Sequence, residues 1–154
     1  MNLTVQKLIL PLLRQMDKIY YEFIDVEIPD FRSEFFDLWL SRIAKSHCKS
    51  LGNLSYIFVT DEYLLELNKE HLNHDYFTDI ITFNYNEENS LSGDLFVSYD
   101  RVVSNSGEYG NNNVFDELCR VMAHGLLHLI GYNDKSELEG IKMREQEEKC
   151  LKLR

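Results

Sequence analysis

Hydrophobic positions recur along this chain with two different periods, and the switches between them mark out its elements. From Ile19 to Ile28 the residues Ile, Tyr, Phe, Val and Ile form an expected strand, stopped by Pro29. Ser33 is placed to cap a helix whose apolar face is Phe35, Phe36, Trp39, Leu40, Ile43 and Ala44. Leu54 to Thr60 reads as a second strand. Asp61 is placed to cap a helix from Glu62 to about Leu72, with Leu64, Leu65 and Leu67 as its buried residues. Asp79 to Tyr85 and Asp94 to Ser98 read as two strands joined by a polar turn region ending in Ser92-Gly93. A short helix around Tyr99 to Ser104 follows, then a loop with Gly107, Gly110 and three consecutive asparagines. The longest periodic segment is a helix from about Val114 to Ile130. Phe115, Leu118, Val121, Met122 and Leu129 form its core stripe, while Arg120, His124 and His128 share another side. Ser136-x-x-Glu139 is a capping box opening a final helix to about Leu151. This order predicts an α+β fold: a small mixed sheet of about four strands covered by helices, with a central helix carrying polar chemistry.

Composition narrows the class. With 154 residues, 44% of them hydrophobic and 27% charged, the chain is one globular domain with a sizeable core. No stretch is long and apolar enough to span a bilayer. Cys48, Cys119 and Cys150 are odd in number, far apart and free of any CxxC pair. They read as reduced cytosolic thiols, which places the protein in the cytoplasm. Acids outnumber bases 26 to 16, for a net charge of −10, and this argues against broad, charge-driven nucleic-acid affinity. Lys69, Arg101 and Arg120 remain as candidates for a local basic lip. The clustered glutamates of the last helix read as a solvated face.

The candidate chemistry lies at the end of the central helix, in His124-Gly125-Leu126-Leu127-His128-Leu129-Ile130-Gly131-Tyr132-Asn133-Asp134. Two histidines four apart share a helix face, so both imidazoles can point at one metal ion. Gly131 can end the helix in a conformation that other residues avoid, and the chain can then return Asp134 to the same ion. Two nitrogens and a carboxylate oxygen leave a fourth tetrahedral position open, the layout of a catalytic zinc site. The spacing is that of metzincin proteases, but Gly125 stands where such enzymes carry a glutamate base. One zinc ion per chain is expected, with another first-row divalent ion compatible with the aspartate. Asp134 could instead cap the last helix, but Ser136 is the better-placed cap. His47, His71 and His74 read as surface or loop residues, and Cys119 as core.

HGLLHLIGY resembles the HGxLHLxGYDH signature of the YbeY-type rRNA maturation factors, a family of single-strand-specific metallo-endoribonucleases. Leu67-Asn68 followed by Thr78-Asp79-Ile80-Ile81-Thr82-Phe83 is similar to that family's LN…TDVLSF segment, and Gly93-Asp94-Leu95-Phe96 to its GDI(F) strand. The resemblance spans roughly residues 16 to 150. Residues 1 to 15, with Leu8-Ile9-Leu10-Pro11-Leu12-Leu13, match nothing in it. They read as an N-terminal extension, from an upstream start assignment or as a short extra helix, and lack the cleavage pattern of a secretory signal. The resemblance implies hydrolysis of single-stranded ribosomal RNA, trimming of the small-subunit RNA 3′ end, and clearance of defective ribosomes. The small subunit and its assembly factors are the implied partners, with no DNA or membrane. It also implies a site-lining role for Asn68, Thr78 and Asp79; with no glutamate at 125, the proton of hydrolysis must go to solvent, to the substrate's 2′-hydroxyl system, or to a carboxylate such as Asp79.

Two departures stand out. The family's third histidine ligand is Asp134 here, and a functional arginine of the family falls at Leu72. Arg120, one turn before His124 on the same face, is the candidate to supply that charge. Two other functions compete: a ribosome-docking factor whose zinc is mainly structural, which the acidic composition favours, and a zinc protease, which Gly125 opposes.

Overall fold

A computed structural model describes residues 18–108 and 112–154. The expected extension over residues 1 to 15 lies outside the described residues. Four strands form one mixed sheet in the order β1-β2-β4-β3: β1 Lys18–Phe23, β2 Ser50–Val59, β3 Ile80–Asn84 and β4 Ser90–Ser98. β1 and β4 both run parallel to β2, and β3 runs antiparallel to β4. Five helices accompany them among the described residues: α1 Ser33–Ser46, α2 Asp61–Leu72, α3 Tyr99–Glu108, α4 Val114–Ile130 and α5 Glu137–Leu151. The α+β architecture is the one the periodicities predict.

β2 lies between β1 and β4, and its last four residues, Tyr56 to Val59, are buried on both faces, which explains why they form an unbroken apolar run. Leu54, Tyr56 and Phe58 join the main core with Trp39, Leu40 and Ile43 of α1 and Val121, Met122 and Leu126 of α4. Ile57 and Val59 point the other way, toward Leu64 of α2 and Ile81 of β3. Polar atoms inside the core are paired. The Tyr56 hydroxyl donates to the Met122 carbonyl at 2.8 Å, and the Trp39 indole N–H donates to the Cys150 carbonyl at 2.8 Å. These two bonds tie the sheet to α4 and α1 to α5.

The element ends differ from the sequence reading for local reasons. β1 stops at Phe23, not Ile28, because Asp25 turns the chain with φ 54° before Pro29 is reached. Val26 and Ile28 then pack against the core from a loop. β2 and β4 each begin four residues earlier than expected, at Ser50 and Ser90. Their polar starts pair with each other across a register shift between Leu51 and Leu54. α3 continues to Glu108. Ser33 is the first helical residue of α1, whose N-cap, Arg32, makes no side-chain cap bond. Thr60, not Asp61, caps α2, its hydroxyl accepting from the Tyr63 amide at 3.2 Å. The Asp61 carboxylate is engaged elsewhere, by Arg101 at 2.6 Å and Ser98 at 3.0 Å. Leu64 and Asn68 are the buried residues of α2, while Leu65 and Leu67 are half-buried. The Ser136–Glu139 capping box forms as expected.

Candidate metal centre

α4 is buried on most of its circumference, and Arg120, His124 and His128 form its half-buried edge. Gly125 sets how closely this helix approaches the sheet. A Cβ there would lie 2.5 Å from Ile80 Cδ1 and 2.6 Å from Leu95 Cδ2. The position where a zinc protease holds its glutamate is thus crowded by Ile80 of β3 and Leu95 of β4, and a side chain there would have to displace them. At the other end Gly131 adopts φ 124°, which L-residues avoid, and the Gly131 and Tyr132 amides both donate to the Leu127 carbonyl at 3.0 Å. The Leu129 carbonyl accepts from the Asn86 side chain at 2.7 Å. The helix therefore ends sharply, and the chain returns past the histidines.

That return brings three ligand atoms together. His124 Nε2 lies 3.0 Å from His128 Nε2 and 3.2 Å from Asp134 Oδ2, and His128 Nε2 lies 3.6 Å from Asp134 Oδ2. Zinc–ligand bonds of 2.0–2.1 Å at a tetrahedral angle put ligand atoms about 3.3 Å apart. The three separations bracket that distance. His124, His128 and Asp134 are also the group, among the described residues, that could hold a metal ion.

The outer nitrogens fix what the inner ones present. His124 Nδ1 is 2.7 Å from Glu147 Oε1, and His128 Nδ1 is 3.0 Å from the Tyr132 carbonyl. A carbonyl and a carboxylate are acceptors, so each Nδ1 carries the proton that faces them. With both rings neutral, as metal ligation requires, the Nε2 lone pairs face each other and the Asp134 carboxylate. Three converging acceptors with no donor between them call for a cation, and the donor set suits one.

Arg120 sits behind His124, inside a group of acids. Its guanidinium donates to Glu117 at 2.9 Å and 2.5 Å and to Glu147 at 3.4 Å, and it lies 3.7 Å from Asp79 Oδ2. Glu117 is 2% exposed and Glu147 4%, so these are buried charge pairs. The hydrogen bond to Glu117 is the main reason the guanidinium is held more firmly protonated than usual. Its charge is already shared among three carboxylates, which leaves it poorly placed to clamp a substrate phosphate. Burial raises the Asp79 carboxyl above the ordinary range, against the opposing charges of His124 and Arg120. Burial is also the largest influence on both imidazoles and works to lower them. In His124 the Glu147 hydrogen bond and the charges of Glu147, Asp79 and Asp134 outweigh it, giving a net rise. In His128 burial and the neighbouring His124 prevail, giving a net fall.

Sequence reasoning missed Glu117 and Glu147. The solvated face expected of the last helix is a correction: Glu147 lies on the inner stripe Met143-Glu147-Cys150. The i, i+4, i+7 spacing of those three residues was the available signal.

Next to the centre an open groove of about 430 Å³ runs between β3, the end of α4 and the segment after α2. Asn68, Thr78, His74, Tyr76, His128 and Lys135 are among its lining residues. Thr78 is half-buried at the wall. Asn68 is 1% exposed, with its amide donating to the Tyr76 carbonyl at 3.0 Å, so it holds the 73–79 segment in place. At the rim the His74 and Tyr76 rings stack at 5.1 Å, and Tyr76 is 56% exposed. Leu72 also lines the groove. His71 packs edge-on to Phe83, and His47 hydrogen-bonds within α1 and to Gln146.

The family model described as Endoribonuclease YbeY matches residues 21–153. A protein named Endoribonuclease YbeY from Bacteroides thetaiotaomicron is 44% identical over 136 residues, covering 88% of this chain and 98% of the relative. One of the same name from Cytophaga hutchinsonii is 50% identical over 117 residues, covering 75% and 81%. The solution structure of a Thermotoga maritima protein superposes with a TM-score of 0.60 at 27% identity, covering 88% of each chain.

Proposed function

Because this chain belongs to the endoribonuclease YbeY family, we propose that it is a metal-dependent endoribonuclease that cleaves single-stranded RNA. Its role is maturation of ribosomal RNA at the small-subunit 3′ end, together with ribosome quality control. The observation that carries this reading is the convergence of His124 Nε2, His128 Nε2 and Asp134 Oδ2, with both imidazole tautomers fixed from behind, beside an open groove. These three residues would hold one zinc ion per chain. When bound, the ion would polarise a phosphoryl oxygen and make a water molecule more acidic.

The remaining roles belong to the protein. Glu147 and the Tyr132 carbonyl orient the ligand rings. Arg120 is a positioning residue: it binds Glu147 and Glu117 and so holds the His124 partner in place. Asp79, with its raised pKa, is suited to take a proton on its carboxylate during hydrolysis. Thr78 offers a hydroxyl to substrate in the groove, and Asn68 supports the loop that borders it. The exposed Tyr76 ring at the rim gives an unpaired base a stacking surface. Stacking is the mode of contact that a chain of net charge −10 can use without a broad basic face. Among the described residues no helix is long and apolar enough to cross a membrane.

The test is cleavage of a labelled single strand and of its duplex by zinc-loaded protein. Cutting of the strand alone, abolished by chelation and by His124→Ala, is expected. A zinc-loaded wild type that cuts neither would favour the docking factor, the reading to which the acidic charge lends weight.

A further inference from the structure

We infer that Lys135 is the phosphate-binding cation of this centre, acting from the wall of the groove beside the metal ligands. The assignment rests on the endoribonuclease reading. No aspartate or glutamate lines the groove, and Lys135 is its one lysine or arginine among the described residues. The other cations near the site are committed. Arg120 is bound to Glu117 and Glu147, Arg101 pairs with Asp61 at 2.6 Å, and Lys69 lies 3.5 Å from Glu66 and 3.4 Å from Asp75. The Lys135 ammonium has no carboxylate within ion-pair distance among the described residues.

Its backbone is held in register with the centre. Lys135 follows Asp134 directly, and its amide donates to Glu139 Oε2 at 3.0 Å as part of the turn into α5. The same turn therefore places the Asp134 carboxylate beside the two histidines and Lys135 on the wall of the adjoining groove. In a chain of net charge −10 this wall is a local exception, where an anion meets one positive group and neutral hydrogen-bonding side chains such as Thr78, Thr82 and Asn84. A lysine supplies charge to phosphate without fixing its geometry, so it can follow the phosphate as the strand shifts.

The experiment uses full-length, zinc-loaded protein and a short fluorescent oligoribonucleotide, with binding and cleavage measured across a range of salt. Lys135→Ala is expected to weaken RNA binding roughly fivefold at low salt. It should also reduce the slope of log K against log salt by about 0.7, the signature of one lost phosphate contact on a single strand. Metal content and Tm should stay at wild-type values, which a merely structural residue would not allow. Lys135→Arg should retain binding, and Leu72→Arg placed in the Lys135→Ala protein should restore part of it, because Leu72 lines the same groove. Wild-type affinity and salt slope in Lys135→Ala would overturn the assignment alone. A zinc-loaded wild type that neither binds nor cleaves RNA would overturn the endoribonuclease reading and this inference with it.

Discussion

Replacing Glu147 by glutamine changes one charge and almost no volume, and the structure sets what that should cost. Glu147 is 4% exposed, and its Oε1 lies 2.7 Å from His124 Nδ1 and 3.4 Å from Arg120 Nη1. A glutamine oxygen can still accept from the imidazole, so ring orientation should survive. The bond changes from charge-assisted to neutral, a difference of about 1–1.5 kcal/mol. An imidazole that binds a cation through Nε2 becomes a stronger donor at Nδ1, so this difference falls mainly on the metal-bound state. Metal affinity should drop about tenfold. Arg120 keeps Glu117 and Asp79, so the fold should persist. Competition against a calibrated chelator measures the affinity, with Glu148→Gln on the exposed side of α5 as control. Affinity within twofold of wild type, or an equal loss in the control, would refute the argument that Glu147 tunes the ligand.

Asp79→Asn should raise Tm at neutral pH. Burial lifts the Asp79 carboxyl in the folded state, so its favourable contribution is present below the unfolded-state value and is lost as pH rises through the folded-state value. The advantage of the asparagine variant should therefore be absent in acid and complete above the raised value; thermal melts across pH would show a flat difference if the linkage were wrong. Native protein should offer one fast-reacting thiol to a disulfide reagent near neutral pH. Cys48 is exposed, while Cys119 and Cys150 are buried with their thiols pushed up to about 11 by desolvation; three equal rates would contradict the packing. Gly125→Val should destabilise the fold by about 1–3 kcal/mol through overpacking against Ile80 and Leu95. Denaturant titration would reveal an unchanged midpoint if the helix had room to move.

The convergence of His124, His128 and Asp134 could be found in the sequence because its geometry is local. His124 and His128 share a face by helical period, and Gly131 marks the turn that brings Asp134 back. The Ser136–Glu139 box was legible for the same reason. What could not be read was set by contacts distant in sequence. Glu147 looked solvated among neighbouring glutamates, yet α5 turns it onto His124, 23 residues away. Arg120 looked available to a phosphate, but the burial of Glu117 and Glu147 beside it engages its charge. Thr60 and Asp61 are both good caps, and it was the tertiary pairing of Asp61 with Arg101 that decided between them. The early end of β1 reflects the left-handed turn at Asp25, to which hydrophobic alternation is blind.

The central claim is that His124, His128 and Asp134 together hold one catalytic divalent ion. Its most direct test is the metal content of purified protein after zinc loading and dialysis, for wild type, His124→Ala and Asp134→Ala, with circular dichroism to verify folding. The account predicts close to one ion per chain in wild type and near-complete loss in both folded variants. No ion in wild type, or a full complement retained in Asp134→Ala, would contradict it.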